Sequence, residues 1–237
     1  KYGLLFFIFS IFITILINFL SSYFKLLIYK PNSSHKEKFN NTIHNTGGII
    51  FFFYLILIYL INNEFTDLYS FLFLTLIFLI GFFSDIKKDF NPNIRLLLIS
   101  LFSIIYVILS NNLIYDLKFN FLNNLFVNYP LLSIFFTSLC IIILINGVNF
   151  IDGVHGLTLL YGIMVLAILN YFIFFKLDQE NIVQSGLIIL PILSVLLIYN
   201  FFEKIFFGDS GSYLLGSVIG LYVLKLSNSE GYSYPYF

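Results

Sequence analysis

The sequence predicts an all-α, polytopic transmembrane helix bundle. Of its 237 residues, 59% are hydrophobic and 10% are charged, and long apolar runs recur along the whole chain with short polar islands between them. A soluble domain carries about 25% charged residues. No core absorbs this much apolar sequence, so the runs belong in a bilayer. There the backbone must satisfy its own hydrogen bonds, which makes each run a helix.

The first run, 4–28, is long, and no small-residue cleavage site follows it, so it reads as a span rather than a signal peptide. The runs 49–61, 68–83, 96–109, 131–145, 157–175, 186–199 and 213–226 follow. Several are shorter than the ~20 residues a span needs, so their ends are expected to extend into the flanking polar residues. The mixed, Asn-rich segment 113–127 is expected to be an interfacial helix or an external loop. This gives about eight spans in one integral-membrane domain over residues 1–237. Cys140 is the single cysteine. It excludes an intramolecular disulfide and reads as a small buried hydrophobe. Net charge is zero, which leaves no footprint for nucleic acid. The chain begins at Lys1 and ends at Phe237, soon after an apolar run. It is expected to be a piece of a longer protein, truncated at the C-terminus.

Eight spans place the loops after spans one, three, five and seven on one side, and every polar island falls there. That side carries eight cations: Lys25, Lys30, Lys36, Lys38, Lys87, Lys88, Arg95 and Lys204. The other side carries Lys118, Lys176 and Lys225, with Lys1 at the start. Basic loops stay in the cytoplasm, so the islands are expected there and the N-terminus outside.

Three islands carry an aspartate each. Asp209 lies in Gly208-Asp209-Ser210-Gly211-Ser212, just before an apolar run. The glycines let backbone N–H groups approach an anion, and Ser210 or Ser212 is placed to cap a helix whose N-terminus favours phosphate. An aspartate there repels phosphate unless a cation bridges them, as Mg²⁺ does. The plainer reading is a capping turn with a solvated Asp. Asn146, Asn149 and Asp152 recur every third residue and share a helix face. Their amides and carboxylate suit a base or a sugar, and Gly153 lets backbone come close. The plainer reading is a polar helix end with a glycine cap. Asp85 stands among Lys87, Lys88 and Arg95, a mixture that suits a metal and a diphosphate, or a basic loop that only sets topology. His35 and His44, in the first loop, are phosphate-contact candidates or simply solvated.

Four segments, in order, resemble the polyprenyl-phosphate N-acetylhexosamine-1-phosphate transferases of glycosyltransferase family 4. They are PNSSHKEK…NTGGI, GFFSDIKKDFNPNIRLL, NGVNFIDGVHGL and FFGDSGSYLLG. The resemblance covers nearly the whole chain and implies a fold of 10–11 spans in the complete protein. It implies transfer of a sugar-1-phosphate from a UDP-N-acetylhexosamine to undecaprenyl or another polyprenyl phosphate, with release of UMP. It further implies Mg²⁺, or Mn²⁺ in its place, a bacterial inner-membrane location and no nucleic-acid partner, and it leaves a homodimer open. By resemblance Asp209 and Asp85 are metal ligands and, with Ser84, catalytic residues. Asn146, Asn149, Asp152 and Gly153 bind the nucleotide sugar. Lys88, His35 and Ser212 contact phosphate.

The chain departs from the family pattern in two places. Ser84 stands where the family has the first of two aspartates, and His155 where many members have Asp or Asn. The family's late His-rich loop and last spans do not occur in this sequence. Ser84 therefore keeps a second reading open, a catalytically inactive relative that binds lipid or nucleotide. A transporter is the third reading, disfavoured because each Asp and Glu falls at a run end or in a loop.

Overall fold

The computed structural model describes residues 3–24, 27–29, 43–61, 67–87, 89–114, 117, 119–153, 156–176 and 180–228. Each of the eight apolar runs forms a helix. In chain order these are α1 (Gly3–Phe24), α2 (Gly47–Ile61), α3 (Leu68–Ile86), α4 (Pro92–Ser110), α6 (Pro130–Ile151), α7 (Leu157–Lys176), α8 (Glu180–Phe201) and α9 (Gly208–Ser227). The Asn-rich segment contributes a short helix, α5 (Asn120–Asn128). By length and composition α1, α3, α4 and α6 can cross a bilayer, and 47–60, 157–171 and 187–201 are shorter apolar stretches. Large side chains such as Phe19, Leu97, Ile108, Phe135 and Ile168 point outward and are exposed. An apolar exterior of this extent is a lipid-facing one, and the chain is a multi-pass membrane protein.

Helix α9 is the axis of the bundle. Every side chain described as buried in it, from Ser210 to Leu224, lies inside on all faces. It packs against α2, α3, α6 and α7, while α1 and α7 flank α8, and α4 joins α3 to α6. Small residues let these helices close up, as is usual where lipid offers no hydrophobic contrast. A Cβ on Gly81 of α3 would stand 2.5 Å from Ser210 Cα, so the two helices touch backbone to backbone. Deeper in, Tyr222 of α9 donates a hydrogen bond to Asn170 of α7.

Two short strands interrupt the helical pattern. β1 (Ile28–Tyr29) pairs antiparallel with β2 (Ile43–His44), and His44 forms a parallel bridge to Ile205. Backbone bonds extend this strip: Lys204 O accepts from His44, and Phe206 O and Phe207 O accept from Gly47 and Gly48. The start of α2 is thereby fixed against the segment that leads into α9.

The helices run further into the polar islands than the apolar runs do. α3 continues to Ile86, α4 begins at Pro92, α6 reaches Ile151 and α9 begins at Gly208. At α4 the cause is local: the Asn91 side chain accepts from Asn93 N at 2.9 Å, and Pro92 takes the first helical position. Islands expected as loops are therefore largely helix ends, and their side chains sit on rigid supports.

Candidate active site

The ends of α3, α6 and α8 and the starts of α2, α7 and α9 meet around one cavity of about 540 Å³. Its wall includes Ser84, Asp85, Asp152, Gly153 and Asp209 from the expected residues, together with Asn45, Thr158, Asn200 and Gly208. The three aspartate islands thus come together, far apart in sequence though they are.

Asp85 and Asp209 hold different positions. Asp85, on the last turn of α3, accepts the Asp209 backbone N–H at 2.9 Å on Oδ1. On Oδ2 it accepts the Ser210 N–H at 3.1 Å and the Ser210 hydroxyl at 2.5 Å. These are donors that a helix N-terminus leaves unpaired. Asp85 is therefore the cap of α9, supplied from another helix. The expectation that Ser210 or Ser212 caps α9 is corrected: the cap position is Phe207, with no side-chain cap bond. Asp85 also lines the cavity, and its Oδ1, which accepts a single hydrogen bond, keeps a lone pair for the metal expected there.

Asp209 lies in the first turn of α9. Its Oδ2 accepts from Ser84 Oγ at 2.5 Å and from Arg95 Nη1 at 2.5 Å, and Arg95 Nη1 also donates to Ser84 Oγ at 2.7 Å. Among the described residues Asp209–Arg95 is the one ion pair, and Asp209 Oδ1 has no hydrogen bond there. Gly208 makes room for this arrangement. Its φ is +73°, and a Cβ would stand 2.5 Å from Asn45 Oδ1 and 2.8 Å from Asp85 Oδ1.

Asp152 follows the last residue of α6, its N–H bonded to Asn149 O at 3.2 Å. Burial pushes its carboxyl up to about 7. The charges of Asp209 and Asp85 push it further up. Asn149 Oδ1 accepts from Ser212 Oγ at 2.6 Å, which ties α6 to α9 just behind the cavity wall. Ser212 is fully buried and spends its hydroxyl in that bond, so it is not presented to a phosphate. Asn146 donates to Ile142 O of its own helix at 2.8 Å and does not line the cavity. Lys88, His35 and His155 lie outside the described residues. His44 is buried with Ser21 Oγ 3.0 Å from Nδ1, away from this cavity.

Sequence did not single out Asn45 and Asn200 as site residues, and it gave Arg95 only as one of three cations around Asp85. Asn45 and Asn200 line the cavity, and each carries a buried Oδ1 without a hydrogen-bond partner among the described residues. Buried carbonyl oxygens without partners are costly and mark places where a ligand donor belongs. The oxygens of Asp209, Asp152, Asn45 and Asn200 make a hard donor set that suits Mg²⁺ better than a soft metal. Among the described residues no group of three or more His, Cys, Asp or Glu forms a self-sufficient metal centre.

Residues 68–227 match glycosyl transferase family 4. The chain is 31% identical to a phospho-N-acetylmuramoyl-pentapeptide-transferase of Clostridium beijerinckii, over 83% of this chain and 63% of that protein. It is 27% identical to the protein of the same name from Buchnera aphidicola, over 87% and 69%, and 29% identical to that of Campylobacter jejuni, over 85% and 64%. The chain thus spans about two thirds of the length of these relatives. The family match covers every helix from α3 to α9, including each carboxylate in the cavity wall, and on that basis the chain belongs to glycosyl transferase family 4.

Proposed function

We propose that the protein of which this chain is part transfers an N-acetylhexosamine-1-phosphate from a UDP-sugar to a polyprenyl phosphate at the cytoplasmic membrane face. The names of the relatives favour a phospho-N-acetylmuramoyl-pentapeptide as the group moved. The observation that carries the reading is the cavity itself: carboxylates, unpartnered amide oxygens and the N-terminus of α9 gathered at one end of a lipid-embedded bundle. One substrate is a long isoprenoid and the other is water-soluble, so the reaction needs a polar site at a membrane surface.

In this reaction an oxygen of the lipid phosphate bonds to the phosphorus that bears the sugar. The diphosphate bridge breaks on the far side, and UMP leaves with the bridging oxygen. Asp209 would hold Mg²⁺ or Mn²⁺ through Oδ1, with Asp152 in the same cavity wall as a further oxygen donor. A divalent cation there neutralises the diphosphate. Asp85 holds the α9 N-terminus and so sets where Asp209 stands. Asn45 and Asn200 offer acceptors to the base or the sugar. A phosphate monoester has its second pKa near 6, so the acceptor is largely dianionic at neutral pH and Ser84 need not act as a base.

Ser84 also supports a second reading, an inactive relative that binds the same ligands. UMP release from the full-length protein in detergent separates the two. With undecaprenyl phosphate, Mg²⁺ and a panel of UDP-N-acetylhexosamines, release that depends on all three and falls at least ~100-fold in Asp209→Asn supports the transferase. Folded protein that releases no UMP with any donor rejects it.

A further inference from the structure

The ion pair between Arg95 and Asp209 points to a more specific role for Arg95 than that of one cation among several near Asp85. Arg95 reaches from the first turn of α4 to the first turn of α9, where its Nη1 contacts both Ser84 Oγ and Asp209 Oδ2. The pair is half-buried, with side-chain exposures of 19% and 32%, so its charges interact more strongly than they would in open water. Arg95 thus already neutralises the carboxylate best placed to hold a cation. The remaining supply is thin. Asp85 already accepts three hydrogen bonds from the α9 N-terminus, and the described residues offer no group of three or more acidic, His or Cys ligands. A cation needs six or more oxygens, and the donor set of Asp209, Asp152, Asn45 and Asn200 falls short of that number.

Resting on the transferase reading, we propose that Arg95 is a positioning residue that keeps Asp209 a weak, one-oxygen cation site until a nucleotide diphosphate brings the missing ligands. Arg95 and Ser84 hold Oδ2 and leave Oδ1 free. Free cation meets a carboxylate whose charge is already balanced and binds poorly. Cation carried by a diphosphate arrives with two phosphate oxygens in its shell and with negative charge that Arg95 attracts. Ser84 makes this possible. An aspartate at position 84 would share the guanidinium, and Asp209 would regain part of its charge.

The test is Mn²⁺ binding followed by electron paramagnetic resonance on the purified chain in detergent, with and without UDP. No turnover is needed. Wild type is expected to bind Mn²⁺ weakly alone and at least tenfold more tightly with UDP. Arg95→Gln removes the competing charge and is expected to bind free Mn²⁺ at least tenfold more tightly than wild type, while gaining less from UDP. Arg95→Lys keeps the charge and is expected to behave like wild type, and thermal melting checks that each variant is folded. A merely structural arginine gives the opposite sign, with Arg95→Gln binding Mn²⁺ no better or worse than wild type; that result overturns the proposal. If Asp209→Asn then still removes UDP-dependent binding, the transferase reading survives. Wild type that binds no Mn²⁺ even with UDP overturns both.

Discussion

Asp85 accepts the backbone N–H of Asp209 at 2.9 Å, so the last turn of one helix serves as the cap of another. The bond joins residues 124 positions apart, and it places the carboxylate of Asp209 beside Ser84 and Arg95. The first prediction concerns this cap. Losing an N-cap costs about 0.5–2 kcal/mol, and leaving buried donors unpaired adds about 1–3 kcal/mol. Asp85→Ala is expected to destabilise the protein by about 2 kcal/mol or more, with Asp85→Asn in between because it keeps one acceptor. Denaturation of the purified variants measures it, and an unchanged midpoint would remove Asp85 from the cap.

Gly208→Ala tests the crowded turn before α9. Left-handed backbone costs a residue with a Cβ about 1–2 kcal/mol, and here the Cβ also meets Asn45 and the Asp85 carboxylate. A loss of roughly 2 kcal/mol or more is expected, together with reduced UMP release at a temperature where the variant is still folded. Full activity would show that the turn can relax without moving Asp209.

Asp152 gives a pH dependence with a definite sign. Its carboxyl is raised from 3.8 to about 7 in the fold, so the protein favours its protonated form. The resulting stabilisation is complete below about pH 4 and is lost as pH rises through about 7. Wild type is expected to lose at least about 2 °C of melting temperature between pH 5 and pH 8, relative to Asp152→Asn. Parallel melting curves for the two proteins over that range would refute a raised Asp152.

Asn45 and Asn200 separate binding from chemistry. Each offers one unpartnered oxygen to the cavity, and Asn200 Nδ2 is already used on Ile205 O at 2.8 Å. Asn45→Ala, which breaks no hydrogen bond to Nδ2 or Oδ1 among the described residues, is expected to raise KM for the UDP-sugar about tenfold with a smaller change in kcat. A fall in kcat at constant KM would place Asn45 against the reacting phosphates instead of the base or sugar.

Much of this was legible in the sequence. An aspartate in an apolar chain is conspicuous, and three of them after alternate runs pointed to one site. The division of labour between Asp85 and Asp209 was not legible. Asp85 is paired with backbone N–H groups, which every residue has, so no residue type announces the bond. Arg95 was visible as one cation among several, but its pairing depends on α4 beginning at Pro92, ahead of the apolar run, and on the close contact of α3 and α9 at Gly81. Asn45 and Asn200 looked like ordinary asparagines at the ends of apolar runs. Their significance lies in what surrounds their oxygens. Ser212 shows the reverse case, a motif residue whose hydroxyl is turned to Asn149 and buried.

The strip that bonds His44, Gly47 and Gly48 to residues 204–207 has a consequence for biosynthesis. Helix α2 is made early, yet the backbone that fixes His44, Gly47 and Gly48 emerges from the ribosome only after α8. Until then the first helices have no partner for that edge, and α9, which fills the middle of the bundle, has not been made. The nascent chain therefore holds a bundle with an unfilled centre until α9 is made, and the cavity closes only once α9 is in place.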